Sequence, residues 1–173
     1  MKRTITALVN NTSGVLNRIT GLFARRHFNI ESITVGVTEN PTVSRMTFVV
    51  IVDNQKNIEQ VIKQLHKQVD VLKVKDITDE AIVARELALI KVVASPQQRG
   101  EIAAVVNPFR ASIIDIGRES MTVQITGDHQ KVETFIDLLR PYGIKELART
   151  GITAFKRGSK KYDVEGNHIT LIN

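Results

Sequence analysis

The sequence of 173 residues contains no cysteine, which excludes a disulfide framework, a thiol nucleophile and a cysteine-ligated metal. No apolar run approaches the roughly 18 residues of a membrane-spanning helix, and the start, MKRTITALVNN, has a basic end but only a short apolar stretch. We therefore expect a cytoplasmic protein. With 42% hydrophobic residues the chain is able to bury a core, and its length fits one ordinary domain or two small ones.

The sequence also offers little for catalysis. Its four histidines are scattered, without a carboxylate or a second histidine at metal-ligand spacing: His27, His66, His129 and His168. There is no Gly-rich phosphate fingerprint and no Gly-x-Ser-x-Gly elbow, and Asp115 and Glu119 are expected on the surface. We expect no cofactor or metal in this chain.

The net charge of +6 admits an anionic partner, but part of this charge is local. Near the C-terminus, four basic residues between 156 and 161 stand against Asp163 and Glu165. We interpret 159–173 as a solvated polar tail rather than as a nucleic-acid-binding arm.

Strand and helix signals alternate in the same order in both halves of the chain. In the first half, they predict strands at 5–9, 30–37, 45–52 and 72–75 and helices at 14–26 and 58–69. After an acidic joint at 76–86, they predict strands at 87–94, 111–117, 120–127 and 145–150 and helices around Ile102 and at 132–139. Each half therefore has the order β-α-β-β-α-β.

Residue matches indicate that the two halves arose by duplication. MTFVVIVDNQK (46–56) aligns with MTVQITGDHQK (121–131), sharing Met, Thr, Asp, Gln and Lys. The βαββαβ order is typical of the ferredoxin-like plan, in which two helices cover one face of an antiparallel sheet. The fold class predicted is therefore α+β, with two tandem ferredoxin-like domains at 1–78 and 79–158.

The other face of the first sheet also requires cover. Phe48, Val50 and Val52 alternate with Val49 and Ile51, so both sides of this strand are apolar, and we expect burial against another subunit or the other repeat. An RNA-binding module of this topology stacks bases on aromatic residues of its two central strands, where this chain offers only Phe48.

The turn NNTSGVL (10–16) lies between the first strand and the first helix. Asn11, Thr12 and Ser13 are all good N-cap residues, so one interpretation is that one of them caps the helix. The other is an anion site, in which Gly14 lets a ligand approach and the amides of Gly14, Val15 and Leu16 receive a carboxylate at the positive end of the helix dipole. The second repeat has Pro96 in the equivalent segment, so only the first repeat is equipped to bind.

Asn29 in HFNIESITVG (27–36) is the second candidate. It comes just before a strand whose edge is able to face another subunit, and its amide can donate to a carboxylate and accept from an ammonium group. An amino acid presents both groups. The sequence alone equally allows the interpretation that Asn29 is an ordinary turn residue after the helix.

Three segments, VNNTSGVLNRITGLFARRHFNIESITVG, PTVSRMTFVV and KQLHKQVDVLKV, together resemble the small regulatory subunit of acetohydroxyacid synthase, also called acetolactate synthase. The similarity covers about residues 1–158, with the motifs Asn-x-x-Gly-x-Leu-x-Arg, Asn-Ile-Glu-Ser and Ser-Arg-Met-Thr in this order. The residues beyond it match no part of the family pattern.

The resemblance implies an ACT domain at 1–78 and a related domain at 79–158. ACT domains of this kind pair side by side, continuing the sheet across a dimer, and hold an amino acid at the interface. The effector implied is a branched-chain amino acid, typically valine. The resemblance places seven residues around it: Asn11, Gly14, Val15 and Leu16 on one wall, and Asn29, Ile30 and Val35 on the other.

The family's large subunit carries thiamine diphosphate, magnesium and FAD, and condenses two pyruvates or pyruvate with 2-ketobutyrate. The resemblance therefore implies a non-catalytic subunit that activates this partner and confers feedback inhibition by valine. The rival interpretation is a stand-alone ACT-type amino-acid sensor that acts on another enzyme or on gene expression. An RNA-binding ferredoxin-like module is a further alternative.

Overall fold

The computed structural model describes residues 1–158, so the polar tail at 159–173 lies outside the described residues. The first half contains β1 (Lys2–Asn10), α1 (Val15–Arg25), β2 (Asn29–Val37), β3 (Val43–Ile51), α2 (Gln55–His66) and β4 (Val71–Asp76). The second half contains β5 (Ile82–Val93), α3 (Arg99–Val106), β6 (Ser112–Ile116), β7 (Ser120–Gly127), α4 (His129–Leu139), β8 (Ile144–Arg149) and β9 (Thr153–Lys156). The α+β class and the repeated βαββαβ order are confirmed.

The first sheet has the strand order β2-β3-β1-β4, and every neighbouring pair is antiparallel. Alternate residues of its central strands, such as Ile5 on β1 and Phe48 on β3, are buried towards the helices. Phe23 of α1 packs on Phe48 with ring centroids 5.2 Å apart, and Leu65 of α2 completes the same core. The apolar residues that alternate along the strands thus pack against the apolar faces of α1 and α2 and form one apolar layer.

The second sheet repeats this plan with the order β6-β7-β5-β8. Ile90 of β5 and Val123 of β7 are fully buried, and the Phe109–Phe135 ring pair, also 5.2 Å apart, takes the place of Phe23–Phe48. Each repeat therefore has its own hydrophobic core between one sheet and two helices.

Two sequence predictions at element boundaries are wrong. The spacing of apolar residues predicts Val69 in the second helix, but α2 ends at His66 and Val69 is 93% exposed, because the chain turns there through a hydrogen bond from Val71 N to Gln68 O. The joint at 76–86 was expected to be a connector, but its second half is strand from Ile82 onward.

The sequence reading also missed β9, which pairs antiparallel with the first residues of β5, from Ile82 to Arg85. Through this strand, the second repeat covers part of the helix-free face of the first sheet. Ala154 N–H donates to the hydroxyl of Thr47 at 3.4 Å, and both residues are buried. The expected cover on the second face of β3 thus comes in part from the other repeat, while Ile51 stays 41% exposed.

An ion-pair cluster fixes the end of the first repeat. Arg3 contacts Asp76 at 2.6 Å and Asp79 at 2.9 Å, and Thr78 donates to the Asp76 carboxylate through both its backbone N–H and its hydroxyl. Burial alone raises the pKa of Asp76, but the hydrogen bonds from Thr78 and Arg3 outweigh it and hold this pKa below its ordinary value. The cluster joins β1 to the segment that leads into the second repeat.

Among residues 1–158, no helix is long and apolar enough to cross a membrane.

Candidate functional site

The turn between β1 and α1 is held in place by Asn11. Its backbone N–H donates to Thr42 O at 2.7 Å, and its side-chain Nδ2 donates to Pro41 O at 2.9 Å. Both acceptors belong to the turn between β2 and β3. Asn11 therefore positions the turn that was predicted to bind a ligand, and its side-chain N–H already has a protein partner.

Gly14 lies at the start of α1 with φ 84° and ψ −7°, in the left-handed region that favours glycine. No side chain of residues 1–158 caps α1, so the interpretation that Asn11, Thr12 or Ser13 serves as a cap is wrong. Val15 N–H makes only a long bond of 3.4 Å to Thr12 O. In the described part of the chain, the amides of Gly14 and Leu16 have no hydrogen-bond partner.

The electrostatic setting of this helix end favours an anion. The first turn of α1 has no acidic residue, so no side chain of the helix itself offsets the positive end of its dipole. Gly14 is exposed and Leu16 is 46% exposed, whereas Val15 is buried and fixes the helix on the core. The equivalent turn in the second repeat differs, because the side chain of Gln98 accepts from Ser95 N–H at 3.1 Å.

Arg18 is a residue of this site that the sequence reading did not select. A Cβ atom added to Gly14 would lie 2.9 Å from Arg18 Nη1, so the guanidinium stands directly beside the turn. Its Nε and Nη2 bind Asp70 Oδ2 at 2.9 and 2.7 Å. The signal was present, because Arg18 ends the Asn-x-x-Gly-x-Leu-x-Arg motif and lies four residues after Gly14, one helical turn away.

The other predicted wall lies on β2. Asn29 begins this strand and is exposed, Ile30 packs half-buried against the core, and Val35 is 46% exposed. Asn29 is therefore a strand residue rather than a turn residue.

Within one chain, Asn29 and Ile30 lie at the opposite end of the first sheet from the turn, whereas Val35, which pairs with Met46, lies nearer to the turn. Asn29 pairs with Ile51, whereas Asn10, next to the turn, pairs with Val43 at the other end of β3. At about 3.4 Å per residue, these ends are about 27 Å apart. One chain thus brings Asn11, Gly14, Val15 and Leu16 together but does not bring Asn29 or Ile30 to them.

β2 is an edge strand of the first sheet. Its apolar residues Val35 and Val37 are 46% and 61% exposed. An exposed apolar edge of this kind is suited to pairing with another strand.

The described residues show no sign of a metal centre. No group of three or more His, Asp or Glu among residues 1–158 is placed to hold a metal ion. Asp115 and Glu119 are exposed, as predicted.

Comparison with known protein families gives two matches that together span most of the chain. Residues 5–73 match the model of the AHAS small subunit-like ACT domain. Residues 85–158 match the model described as the small subunit of acetolactate synthase.

Individual proteins show the same similarity. The chain is 59% identical over 172 residues to the acetolactate synthase small subunit of Bacillus subtilis, covering 99% of this chain and all of the relative. It is 58% identical over 161 residues to a probable acetolactate synthase small subunit of Archaeoglobus fulgidus, covering 93% of this chain and all of the relative. The crystal structure of the acetolactate synthase small subunit from Thermotoga maritima superposes with a TM-score of 0.83 at 45% identity, covering 92% of this chain and 99% of that one.

Proposed function

Since the chain belongs to the family of acetolactate synthase small subunits, which are non-catalytic, we propose that it binds valine between two copies of its first repeat and thereby inhibits the catalytic subunit that it otherwise activates. The observation that carries this proposal is the uncapped start of α1, where the amides of Gly14 and Leu16 have no hydrogen-bond partner among the described residues and the guanidinium of Arg18 lies beside Gly14.

The position of β2 supports a site shared by two chains. If β2 pairs antiparallel with β2 of a second copy, Asn29 of one chain comes next to Val37 of the other. Val37 pairs with Ser44, at the same end of the sheet as Asn10 and the start of α1. In this register, pairing of two chains removes the separation of about 27 Å along the strands between Asn29 of one chain and the start of α1 of the other.

The chemistry of the two walls matches a branched-chain amino acid. The carboxylate accepts hydrogen bonds from the amides at the start of α1 and from Arg18, and the carbonyl oxygen of the Asn29 side chain accepts from the ammonium group. Leu16 and Val35, each 46% exposed, supply apolar surface for an aliphatic side chain. Two charge-assisted contacts and an apolar contact together discriminate an amino acid from a simple carboxylate.

The partner in this proposal is the large subunit of acetolactate synthase, in the cytoplasm. It carries thiamine diphosphate, magnesium and FAD, while this chain supplies regulation only. Valine and the catalytic reaction then act at distinct sites, with a coupling free energy typically of about 1–3 kcal/mol.

The first experiment is isothermal titration of valine into the purified chain, with leucine, isoleucine and alanine as comparisons. Saturable binding with a preference for branched side chains is expected. The second is reconstitution with the large subunit, where this chain is expected to raise activity and valine to lower it. A chain that binds valine but neither co-purifies with nor activates the large subunit is a sensor for another enzyme.

Mixing two variants tests whether the site is shared. Gly14→Asp and Asn29→His each inactivate one wall, so neither homodimer is expected to bind valine. A mixed dimer has one intact site, formed by Gly14 of one chain and Asn29 of the other, and random assembly recovers about a quarter of the wild-type sites. If the mixture binds no valine although the chains have exchanged, the two walls do not belong to one shared site.

A further inference from the structure

A short segment of the second repeat, residues 150–153, lies against β2 of the first repeat; we refer to it as the bridge segment. The hydroxyl of Thr34 on β2 donates to Ile152 O at 2.8 Å. Gly151 is buried and has φ 79°. A Cβ atom at position 151 would lie 2.8 Å from Ser32 Cβ, so the backbone of the bridge segment touches β2 as closely as a residue without a side chain allows.

The bridge segment is fixed to the second repeat at both ends. On one side, Thr150 and Leu87 exchange two hydrogen bonds, from Thr150 N to Leu87 O at 3.0 Å and from Leu87 N to the Thr150 hydroxyl at 3.1 Å. On the other side, the chain continues into β9, which pairs with β5. The bridge segment is therefore bonded on both sides to β5, an inner strand of the second sheet.

A cavity of about 690 Å³ opens beside this contact, between β2 and the start of α4. Its charged lining residues already pair with one another: Lys2 with Glu31 at 2.8 Å, and Arg149 with Glu86 and with Glu133 at 2.6 Å each. The hydrogen bond from Arg149 holds the pKa of Glu133 below its ordinary value. The cavity thus gives the two repeats room to shift without leaving an uncompensated charge.

We infer that the bridge segment transmits the state of β2 to the second repeat, with Gly151 as the positioning residue on which the contact depends. This inference rests on the proposed function, because β2 carries Asn29, Ile30 and Val35 of the effector site. Effector bound at a paired β2 edge shifts or stiffens this strand, and Ser32 and Thr34 pass the change to Gly151 and Ile152.

Gly151→Ala tests the contact, and Gly143→Ala is its matched control. Both glycines have positive φ, 79° and 85°, a backbone conformation that L residues rarely adopt, so an alanine is strained at either position. At 151 the new methyl group meets Ser32 at 2.8 Å, whereas at 143 it meets only Val93 at an ordinary 3.4 Å. Gly151→Ala combined with Ser32→Gly removes the side chain that the methyl group would meet.

The measurements are valine affinity by calorimetry and inhibition of the reconstituted holoenzyme. For Gly151→Ala, we expect valine affinity within about threefold of wild type, while the coupling between valine and activity falls at least about fivefold. Gly143→Ala is expected to leave both unchanged, and Ser32→Gly to restore coupling in the double variant. Normal inhibition of Gly151→Ala, or an equal loss in Gly143→Ala, overturns the inference.

A readout without ligand separates this inference from the proposed function. Amide hydrogen exchange in β2 is expected to be at least about threefold faster in Gly151→Ala than in Gly143→Ala. If wild type binds no branched-chain amino acid, the proposed function fails, and the exchange result alone decides whether the bridge segment holds β2. Unchanged exchange in β2 overturns the contact itself.

Discussion

Gly14→Asp is the substitution that tests the effector site most directly. The position has φ 84°, where an L-residue costs about 1–2 kcal/mol, with aspartate near the lower end because its side chain tolerates this region. The new Cβ would also meet Arg18 Nη1 at 2.9 Å and displace it. For a chain of this size, we expect the melting temperature to fall by about 2–8 °C, with the variant still folded.

The effect on valine binding is expected to be much larger. A carboxylate at position 14 fills the place of the ligand carboxylate at the helix start and competes for Arg18. Loss of two charge-assisted hydrogen bonds, at about 1.5–3 kcal/mol each, removes about 3–6 kcal/mol. Repulsion between the two carboxylates adds to this, so valine affinity should fall at least about 100-fold.

Gly14→Asn is the matched control for the charge, because asparagine has the size of aspartate and also tolerates positive φ. Its valine affinity should be about fivefold higher than that of Gly14→Asp, because repulsion between the carboxylates near the surface contributes about 1 kcal/mol. Calorimetry measures the affinities, and activation of the large subunit shows that each variant still assembles. Valine affinity of Gly14→Asp within about threefold of wild type would refute the proposed site.

Three further predictions concern Arg18, the β2 edge and Asp76. Arg18→Gln should weaken valine binding by about tenfold while costing less than about 1 kcal/mol of stability, because its pair with Asp70 is half-exposed. Arg140→Gln, which breaks an exposed ion pair with Asp137 at the end of α4, is the calorimetric control. Val37→Lys should weaken self-association at least about tenfold in analytical ultracentrifugation, since a charged lysine on an edge strand disfavours pairing with another strand. Val69→Lys is the control, because Val69 is 93% exposed outside the strand edge, and it should leave self-association unchanged. Because the pKa of Asp76 in the folded state is depressed, the stabilisation by its carboxylate is present above the unfolded pKa of about 3.9 and is lost as pH falls through the lower folded pKa. Asp76→Asn should therefore lower the free energy of unfolding by about 1.5–3 kcal/mol at pH 7, measured by urea unfolding. An equal loss of stability below about pH 3 would contradict this account.

Much of the fold followed from local patterns in the sequence. Apolar spacing predicted which side of each element is buried, and the structure confirms this for Phe48 and Val50 on β3, for Val52 directly after it, and for Ile19 and Phe23 on α1. The conformation of Gly14 could also be predicted, since a glycine between a strand and a helix indicates a backbone conformation that other residues rarely adopt.

The site could be predicted only in part, for a reason of distance along the chain. Helical spacing brings Arg18 close to Gly14, but no sequence pattern indicated that its guanidinium pairs with Asp70, 52 residues away. No sequence pattern indicated that the side-chain amide of Asn11 donates a hydrogen bond to Pro41 O. Contacts between distant residues leave no periodicity that a sequence pattern could report.

The sequence by itself determined the two repeats, their order of elements and the turn at the start of α1, because each depends on residues within one or two turns of one another. Only the tertiary structure decided that β9 lies against β3 of the first sheet and that Gly151 meets Ser32, more than 100 residues away in the chain. Such contacts depend on how two finished cores pack, and the packing of two surfaces is set by their shapes in three dimensions rather than by the spacing of residues along either one.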